Sequence, residues 1–356
     1  MQTAVFTGPR QIEVREMDVP ALKPSQLLLR VRAVGLCTME QRFYRGVAPG
    51  DYPFRGGHEV AAEVVEIGPA AITDARVGDL VAPAILTRCG ACYYCRRGMD
   101  NFCLNERSHQ PGEMWGPAGL SEYIVVEDYQ VYKPTVWRDA CEVALAEPLA
   151  CVVRSVSRPP LQFGDTAVVQ GAGVMGLLHT QLLKQQGARV IVAEPDAQRR
   201  AFALCHGADD AVDPVTENLA AFVKDRTDGR GANAVFFTAG GPAAIEQALA
   251  ALDKGGWLCL YGSVHSRVPL ALDPNLIHYK EITVTGTYSH TRDSFRQAVA
   301  LISTGMADLS CYISERAPYS DIVAAFERAI SPDTYRVVVT FDTNNPWRST
   351  LNSQRI

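Results

Sequence analysis

Four cysteines lie close together in the first third of the sequence. They follow the spacing C-x2-C-x2-C-x7-C and comprise Cys89, Cys92, Cys95 and Cys103. Four thiolates brought together by short loops suit a tetrahedral zinc ion whose positions are all filled, which is typical of a structural site. Four cysteines also hold iron–sulfur clusters, and the spacing alone does not separate the two metals. We predict structural zinc and keep the cluster as the alternative.

A glycine-rich turn in the middle of the chain has the form that binds dinucleotides. Residues 166–176 read TAVVQGAGVMG, an apolar strand that runs into G-x-G-x-x-G. Gly171 permits the tight turn, Gly173 lets the backbone approach a pyrophosphate, and Gly176 lets the next helix pack closely. The free N–H groups at the start of that helix favour phosphate. The residues predicted to bind the cofactor here are Gly171, Gly173, Val174, Met175 and Gly176.

An acidic residue at the end of the next apolar run indicates which dinucleotide binds. Glu194 lies 18 residues past Gly176. An acidic residue at this place hydrogen-bonds the adenosine ribose, and its charge would repel the 2′-phosphate of NADP. Arg199 is also predicted to contact the cofactor, and together with Arg200 it keeps NADP as an alternative. We predict NAD.

The elements predicted around these residues are of two kinds. Residues 1–155 contain short runs rich in Val, Leu and Ile, bounded by Gly, Pro or Asp, which are typical of β-strands. From residue 156 onward apolar runs alternate with helical segments, which predicts a parallel sheet with helices on both faces. The strands expected there are 166–170, 189–193, 234–238, 257–261 and 282–285. An amphipathic helix at 292–303 and a strand at 335–341 follow.

Composition limits the classes of partner. The 356 residues carry a formal net charge of −5 and 47% hydrophobic residues, which is ordinary for a globular protein and argues against a nucleic-acid partner. No apolar run is long enough to span a membrane, and the first twenty residues lack the basic start and apolar core of a signal peptide. We therefore expect a cytoplasmic protein whose ten cysteines are reduced.

Cys37, His58 and Glu147 could each bind a metal, but they are far apart in the sequence. Taken singly, each has a structural explanation: a cysteine is often a small buried apolar residue, and a histidine is often a hydrogen-bonded core residue. In combination with the four-cysteine loop and the glycine turn, the chain resembles the medium-chain zinc-dependent alcohol dehydrogenase superfamily over essentially its whole length. The pairs His58-Glu59 and Glu147-Pro148 resemble the sorbitol, threonine and glucose dehydrogenase branch.

The resemblance implies a fold and a second metal site. The expected fold is α/β with two domains, a GroES-like catalytic domain at 1–155 completed by 290–356, and a Rossmann domain at 156–289. A catalytic zinc would be held by Cys37, His58 and Glu147, with Glu59 as a neighbour that can exchange onto the metal. Such a site keeps one position open for water or substrate. In the family the nicotinamide end is lined by the positions of Thr238, Gly262 and Thr287, and the subunits form homodimers or homotetramers.

One part of the family pattern is missing. After the first zinc cysteine the family has a hydroxyl residue and a histidine that relay the alcohol proton, whereas this chain has Met39 and Arg42 at those positions. Met39 cannot carry a proton, and Arg42 stays charged. We predict that Thr38, Glu59 or ordered water takes over the relay. Arg42 would instead recognise an acidic or highly hydroxylated substrate, or meet the cofactor phosphates or a carboxylate.

The function predicted from these features is a zinc-dependent oxidoreductase. It would transfer hydride between NAD and a secondary hydroxyl of a small polyol, cyclitol or sugar-type molecule, or reduce the matching ketone. A dehydrogenase of another class, acting on an amino alcohol or a simple secondary alcohol, is the first alternative. A non-catalytic NAD-binding or zinc-binding protein is the second, and it is favoured only by the missing relay.

Overall fold

The structure, a computed structural model, describes residues 1–48, 50–106, 114–136, 138–264, 269–270 and 272–341. Its contacts divide the chain into two compact units. The first unit comprises Met1–Glu147 and Phe295–Ile356, and the second comprises Pro148–Ser294. The predicted boundaries at 155/156 and 289/290 lie a few residues away. The predicted boundary at 155/156 falls inside a helix. Ser155 of that helix hydrogen-bonds His179, which lies in the second unit.

The secondary structure alternates as follows along the chain. The first stretch contains β1 (Gln2–Gly8), β2 (Gln11–Glu16), β3 (Gln26–Gly35), α1 (Thr38–Tyr44), β4 (Glu59–Ile67), β5 (Leu80–Pro83), α2 (Tyr93–Arg96), β6 (Tyr123–Glu127), β7 (Val131–Tyr132), α3 (Ala140–Ala144) and α4 (Ala146–Val156). The middle stretch contains β8 (Thr166–Gln170), α5 (Val174–Gln185), β9 (Arg189–Ala193), α6 (Ala197–Cys205), β10 (Asp210–Val212), α7 (Leu219–Asp225), β11 (Ala232–Phe237), α8 (Pro242–Ala251), β12 (Leu252–Leu260), α9 (Pro274–Lys280) and β13 (Thr283–Gly286). The chain then continues through α10 (Arg292–Thr304), β14 (Ile313–Pro318), α11 (Ile322–Ala329) and β15 (Arg336–Thr340).

The sheet of the first unit is organised around β3. Its strands follow the order β14-β15-β3-β4-β5-β7, and β6 also pairs with β3. β3 is antiparallel to β4, β6 and β15, so the last strand returns to the centre of the sheet. Eight of its ten residues are buried, because β3 has neighbours along both edges. An aromatic cluster that includes Phe6, Phe54 and Phe326 fills the core beside it.

The sheet of the second unit is parallel and has the order β10-β9-β8-β11-β12-β13. This is the strand order of dinucleotide-binding folds, in which ligands bind at the carboxyl ends of the strands. β8 and β9 are almost entirely apolar and buried, as expected for parallel strands covered on both faces. The predicted fold class, α/β with a β-rich unit and a doubly wound parallel sheet, is confirmed.

Some elements differ from the prediction. The hairpin of β1 and β2, the short strand β10 and strand β14 were not predicted, because their sequences are short or carry charged residues at alternate positions. β12 also begins at Leu252, before the strand predicted at 257–261. Within the described residues, no helix has both the length and the apolarity needed to cross a membrane.

Candidate active site

The four predicted cysteine ligands meet in one loop of the first unit. The sulfur atoms of Cys89, Cys92, Cys95 and Cys103 all lie within 4.8 Å of one another. The sulfurs of Cys89 and Cys95 are 4.0 Å apart, close to the roughly 3.8 Å expected between thiolates around tetrahedral zinc. The N–H of Cys89 donates to the sulfur of Cys103, and the N–H of Cys92 donates to that of Cys89. The group fits a closed tetrahedral metal site.

The thiols of this loop differ in how easily they ionise. A hydrogen bond from Asn105 and the backbone N–H groups of Ala91 and Cys92 lower the pKa of Cys89 to about 6. Burial and the neighbouring thiols raise the pKa of Cys95 to about 12. A bound metal ion would remove this difference between the pKa values, because a metal requires every ligand as a thiolate and stabilises the charge of that thiolate.

A second cluster forms where β3 ends and β4 begins. Cys37 caps the N-terminus of α1, and its sulfur lies within 4.8 Å of the nearest donor atoms of His58 and Glu59. A carboxylate oxygen of Glu147 lies 3.9 Å from Nε2 of His58. These four residues are the ones that the resemblance implied, and they come from three separate places in the sequence. A thiol, an imidazole and two carboxylates at these distances are a donor set that zinc accepts.

The side chain of Glu59 fits only because the residue opposite it is a glycine. Gly35 pairs with Glu59 across β3 and β4, and a Cβ atom at Gly35 would lie 2.2 Å from Oε2 of Glu59. The carboxylate is completely buried, and Oε2 accepts no hydrogen bond. An acceptor that is buried without a donor is costly, so this oxygen is suited to a cation.

Glu40 orients His58. This fully buried residue of α1 has Oε1 2.7 Å from Nδ1 of His58, and the same oxygen accepts a hydrogen bond of 2.9 Å from the N–H of Gly57. Because the Glu40 carboxylate accepts a hydrogen bond, Nδ1 carries the proton of the ring. The other nitrogen, Nε2, faces Glu147 and keeps a lone pair that can bind a metal. Carboxylates commonly hold metal-binding histidines in this way and raise their basicity.

Arg336 balances Glu59. Its Nη2 lies 2.9 Å from Oε1 of Glu59, and its Nη1 donates to the carbonyl of Leu36 at 2.8 Å. Arg336 is buried at the start of β15, so the last described strand brings a cation behind the cluster. The ion pair therefore places a buried positive charge beside the Glu59 carboxylate.

Burial and the neighbouring charges shift the ionisation of the cluster. Desolvation raises the pKa of Glu59 to about 7, although Arg336 opposes the shift. Burial also raises the pKa of the Cys37 thiol, partly offset by His58. Burial lowers the pKa of His58, but Glu40 and Cys37 outweigh it and raise that pKa well above its usual value. Glu59 is thus the group of the cluster whose pKa lies near neutral pH.

The helix α1 carries the residues of the altered relay. Thr38 and Met39 form its first turn and are exposed, with 39% of Met39 accessible. Arg42 lies in the last turn, partly buried, and its guanidinium has no hydrogen bond or ion pair to any residue that the structure describes. Thr38 adjoins Cys37 directly, so it is the hydroxyl nearest in sequence to the cluster.

The glycine turn of the second unit requires its glycines. Gly171 has a φ of +95°, and a Cβ atom there would lie 2.9 Å from Thr238 Oγ1. A Cβ at Gly176 would lie 1.9 Å from the carbonyl oxygen of Gly171. By contrast, a Cβ at Gly173 would meet only a guanidinium nitrogen of Arg199 at 3.6 Å. The space at Gly173, with Val174 and Met175 opening α5, fits a phosphate beside free N–H groups.

Glu194 ends β9 beside this turn. Its Oε2 accepts a hydrogen bond of 2.7 Å from the N–H of Ala172, and its Oε1 accepts one of 3.0 Å from the N–H of Asp196. The carboxylate is therefore fixed against the glycine turn. Arg200 is occupied elsewhere, because it donates to the carbonyls of Glu194 and Pro195.

Three predicted residues follow the ends of the next strands. Thr238 donates its hydroxyl to the carbonyl of Gln170 at 2.6 Å, so this side chain joins β11 to β8. A Cβ at Gly262 would lie 2.5 Å from the carbonyl oxygen of Thr238, which explains the glycine after β12. The hydroxyl of Thr287, after β13, is buried and has no hydrogen-bond partner among the described residues. All three lie at the carboxyl edge of the parallel sheet.

Sequence reasoning did not assign roles to Glu40 or Arg336. The acidic character of Glu40 was visible, but only the packing of α1 against the segment before β4 brings it to His58. Arg336 carries no local signal, because its partner Glu59 lies near the other end of the chain.

The chain matches two family descriptions. Residues 23–135 match "Alcohol dehydrogenase GroES-like domain", and residues 174–304 match "Zinc-binding dehydrogenase". The L-threonine 3-dehydrogenase of Pyrococcus horikoshii is 32% identical over 92% of this chain and 94% of its own length. The sorbitol dehydrogenase of Bacillus subtilis is 28% identical over 93% and 94%.

Solved structures agree with these matches. A zinc-binding dehydrogenase from Sinorhizobium meliloti, solved with NADP, superposes with a TM-score of 0.86 at 27% identity and covers 95% of this chain and 98% of its own. Zinc and a nicotinamide dinucleotide are the cofactors of such enzymes, which sets the iron–sulfur alternative aside. The chain belongs to the zinc-dependent medium-chain alcohol dehydrogenases, in the branch that contains the threonine and sorbitol dehydrogenases, and it is an oxidoreductase.

Proposed function

We propose that this enzyme transfers hydride between NAD and a secondary hydroxyl of a small polyol, cyclitol or sugar-type substrate, and reduces the matching ketone in the reverse direction. The observation that carries the proposal is the cluster of Cys37, His58, Glu59 and Glu147, whose donor atoms approach one another as the ligands of one ion would. A protein that only bound NAD or structural zinc would have no use for this second set.

In this proposal Cys37, His58 and Glu147 hold the catalytic zinc. Glu59 stays paired with Arg336 and can exchange onto the metal. The ion pair supports this division of roles, since Nη2 of Arg336 lies 2.9 Å from Oε1 of Glu59, while neither carboxylate oxygen accepts a hydrogen bond among the described residues. Cys89, Cys92, Cys95 and Cys103 hold the structural zinc.

The cofactor residues proposed are those of the glycine turn and the carboxyl edge of the parallel sheet. They comprise Gly171, Gly173, Val174, Met175, Gly176, Glu194, Arg199, Thr238, Gly262 and Thr287. The fixed carboxylate of Glu194 supports NAD over NADP, because a 2′-phosphate beside it would meet a negative charge. Thr238 would act by holding the strand ends in place, since its hydroxyl is already bonded to Gln170.

The residues of the cluster divide the chemistry between them. Bound zinc supplies a Lewis acid that makes a hydroxyl more acidic, and bound NAD supplies the hydride acceptor. Glu40 holds the His58 ring so that Nε2 keeps its lone pair for the metal side. Thr38 or Glu59 receives the substrate proton, and the pKa of Glu59 near 7 suits a group that takes up and releases protons.

A second candidate is an amino-alcohol dehydrogenase. The relative from Pyrococcus horikoshii is named a threonine 3-dehydrogenase, and its 32% identity exceeds the 28% of the sorbitol dehydrogenase. Threonine carries its secondary hydroxyl at carbon 3, so the same metal chemistry serves both classes. The two candidates differ only in the groups that surround that hydroxyl.

We further propose a homodimer or homotetramer in the cytoplasm. All ten cysteines are free thiols, which suits a reducing compartment. Size-exclusion chromatography with light scattering measures the mass of the assembly directly.

Metal analysis tests the two zinc sites. The purified protein should contain two zinc ions per chain, one for each cluster. Glu147→Ala should lose one ion and all activity, whereas Cys95→Ala should lose the other ion and lower the melting temperature. Cys141→Ala, which removes a buried thiol outside both clusters, is the matched control and should keep both ions. A wild-type protein with a single zinc would refute the catalytic assignment.

A substrate screen tests the reaction. Sugar alcohols, inositols, amino cyclitols, amino alcohols and simple secondary alcohols are offered with NAD and with NADP, and reduction of the nicotinamide is followed by its absorbance. Turnover of polyols or cyclitols with NAD supports the first candidate, and turnover restricted to amino alcohols supports the second. If no hydroxyl compound reacts with either cofactor, the proposed function is wrong.

A further inference from the structure

Arg55 carries a buried guanidinium without a partner. Only 3% of the residue is exposed, and its Nε and Nη2 are buried and donate no hydrogen bond. It forms no ion pair with any residue that the structure describes. Burial lowers the pKa of Arg55, and no charged neighbour contributes to that shift. A buried charge left unpaired is costly, so its presence calls for a reason outside packing.

Two other buried arginines of the first unit have carboxylate partners. Arg336, also 3% exposed, lies 2.9 Å from Glu59. Arg88, 4% exposed, lies 3.3 Å from Glu106. Each of these two arginines keeps some nitrogens without a hydrogen bond, but its charge faces a carboxylate. Arg55 is equally buried, yet among the described residues it has neither a carboxylate nor a carbonyl acceptor. The difference between Arg55 and the other two is therefore the missing counter-charge.

The backbone around Arg55 is held firmly. Its N–H donates to the carbonyl of Trp115 at 2.9 Å, and its carbonyl accepts from the N–H of Ala118 at 3.1 Å. The preceding residue, Phe54, stacks on Phe43 with ring centroids 4.2 Å apart. These contacts fix the backbone of Arg55 in the core, which limits the positions that its guanidinium can take.

Arg55 also lies close to the proposed metal site. It precedes His58 by three residues, and three residues of fully extended chain span at most about 11 Å. That distance is comparable to the length of a small substrate plus the reach of an arginine side chain. A group on the substrate a few bonds from the reacting hydroxyl can therefore meet Arg55.

The unpartnered atoms identify the kind of group. Nε and Nη2 form one edge of the planar guanidinium, and two parallel N–H donors on such an edge match the two oxygens of a carboxylate or phosphate. We propose that Arg55 binds an anionic group of the substrate, so that this enzyme acts on hydroxy compounds bearing a carboxylate or a phosphate. The inference rests on the proposed function and narrows its substrate class.

Specificity follows from the same geometry. An anionic substrate neutralises the buried charge, whereas a neutral polyol leaves it unpaired. Sites built around a polar partner reject analogues that lack it far more strongly than apolar pockets reject a missing methylene. Arg55 thus favours anionic over neutral substrates because a neutral substrate leaves its charge unpaired, and the shape of the substrate matters less.

The test uses matched pairs of compounds that differ by the anion. Xylitol is compared with xylitol 5-phosphate, and 1-amino-2-propanol with L-threonine. The wild-type enzyme should favour at least one anionic member by about 100-fold or more in kcat/KM. Arg55→Met should remove that preference, by lowering kcat/KM for the anionic member and raising it, if anything, for the neutral member. Arg45→Met, an exposed arginine at the end of α1, is the control and should behave as the wild type.

Thermal unfolding gives a readout that does not depend on activity. Arg55→Met should melt at the same temperature as the wild type or higher, because it removes an unpaired buried charge. Inorganic phosphate should raise the melting temperature of the wild type more than that of the variant. A lower melting temperature of the variant in buffer would mean that Arg55 has an internal structural role, and this result would overturn the proposal.

The remaining outcomes separate the two proposals. Equal losses on neutral and anionic compounds, or no anion preference in the wild type, overturn the role of Arg55 and leave the proposed function intact. A weaker Kd for NAD in Arg55→Met, measured by fluorescence, with unchanged discrimination among substrates, would show that the cofactor phosphates are the bound anion and would also overturn it. If no compound reacts, the proposed function fails, and the phosphate shift still decides whether Arg55 binds an anion.

Discussion

Replacing Glu40 with glutamine removes the negative charge behind His58 while keeping the size of the side chain. In the structure one carboxylate oxygen lies 2.7 Å from His58 Nδ1 and 2.9 Å from the N–H of Gly57. The amide oxygen of glutamine can still accept from both donors, so the backbone turn before β4 should persist. What disappears is the charge that makes the imidazole a stronger ligand.

The expected loss of zinc affinity follows from the hydrogen bonds that Glu40 accepts from His58 and Gly57. Hydrogen bonds to a charged group contribute about 1.5–3 kcal/mol, against about 1 kcal/mol for neutral ones. The loss is therefore about 1–2 kcal/mol, which corresponds to roughly a fivefold to thirtyfold weaker zinc affinity. Similar losses, about 10–100-fold, follow when the hydrogen-bond partners of other metal ligands are changed. We expect kcat to fall in parallel when zinc is not in excess.

Chelator competition measures this change. Zinc is titrated away from Glu40→Gln and from the wild type, and the ion on the four-cysteine site serves as an internal standard because it should be retained equally. Glu13→Gln, which neutralises an exposed carboxylate paired with Arg15, is the matched control. The reasoning about His58 is refuted if Glu40→Gln releases zinc as the wild type does, or if both ions are lost together.

Two further predictions concern the second unit. Burial lowers the pKa of His179 to about 4, so folding should lose about 3 kcal/mol as the pH falls from 6.5 to 4, where the unfolded chain binds the proton and the native state does not. His179→Gln should remove this dependence, which is measured as the difference in unfolding free energy from the wild type at each pH; a constant difference would contradict the shift. Glu194→Gln keeps acceptors for Ala172 and removes the charge, so the preference for NAD over NADP should narrow by about tenfold. Steady-state kinetics with both cofactors tests this, and an unchanged ratio would exclude charge as the cause of the preference.

The parallel sheet of the second unit could be predicted because its signals are local. Thr166–Gln170 and Arg189–Ala193 are buried strands with unbroken apolar sequences, and the glycines after β8 are required by contacts within the same turn. Strands with mixed composition were harder to predict. β2 has the sequence QIEVRE and is largely exposed, so its pairing with β1 depends on the partner strand and not on an apolar pattern.

The two clusters of metal-binding residues differ likewise in whether their residues lie close together in the sequence. Cys89, Cys92, Cys95 and Cys103 lie within one loop, so their spacing alone predicted that their sulfurs would meet. For Cys37, His58 and Glu147 the spacing predicted nothing, and only a resemblance to known dehydrogenases linked them. Their proximity arises because β3 and β4 are paired so that the residues at adjoining ends come together.

The sequence by itself determined the parallel fold, the dinucleotide turn and the four-cysteine loop, because each depends on residues close together in the chain. The tertiary structure decided which charges stand behind the catalytic cluster. Glu40 reaches His58 through the packing of α1, and Arg336 reaches Glu59 because β15 returns to the edge of β3. It also revealed that Arg55 has no partner among the described residues, since burial and pairing are properties of the folded chain alone. Electrostatic partners depend on distance in space, and that distance is fixed only when strands remote in sequence pair.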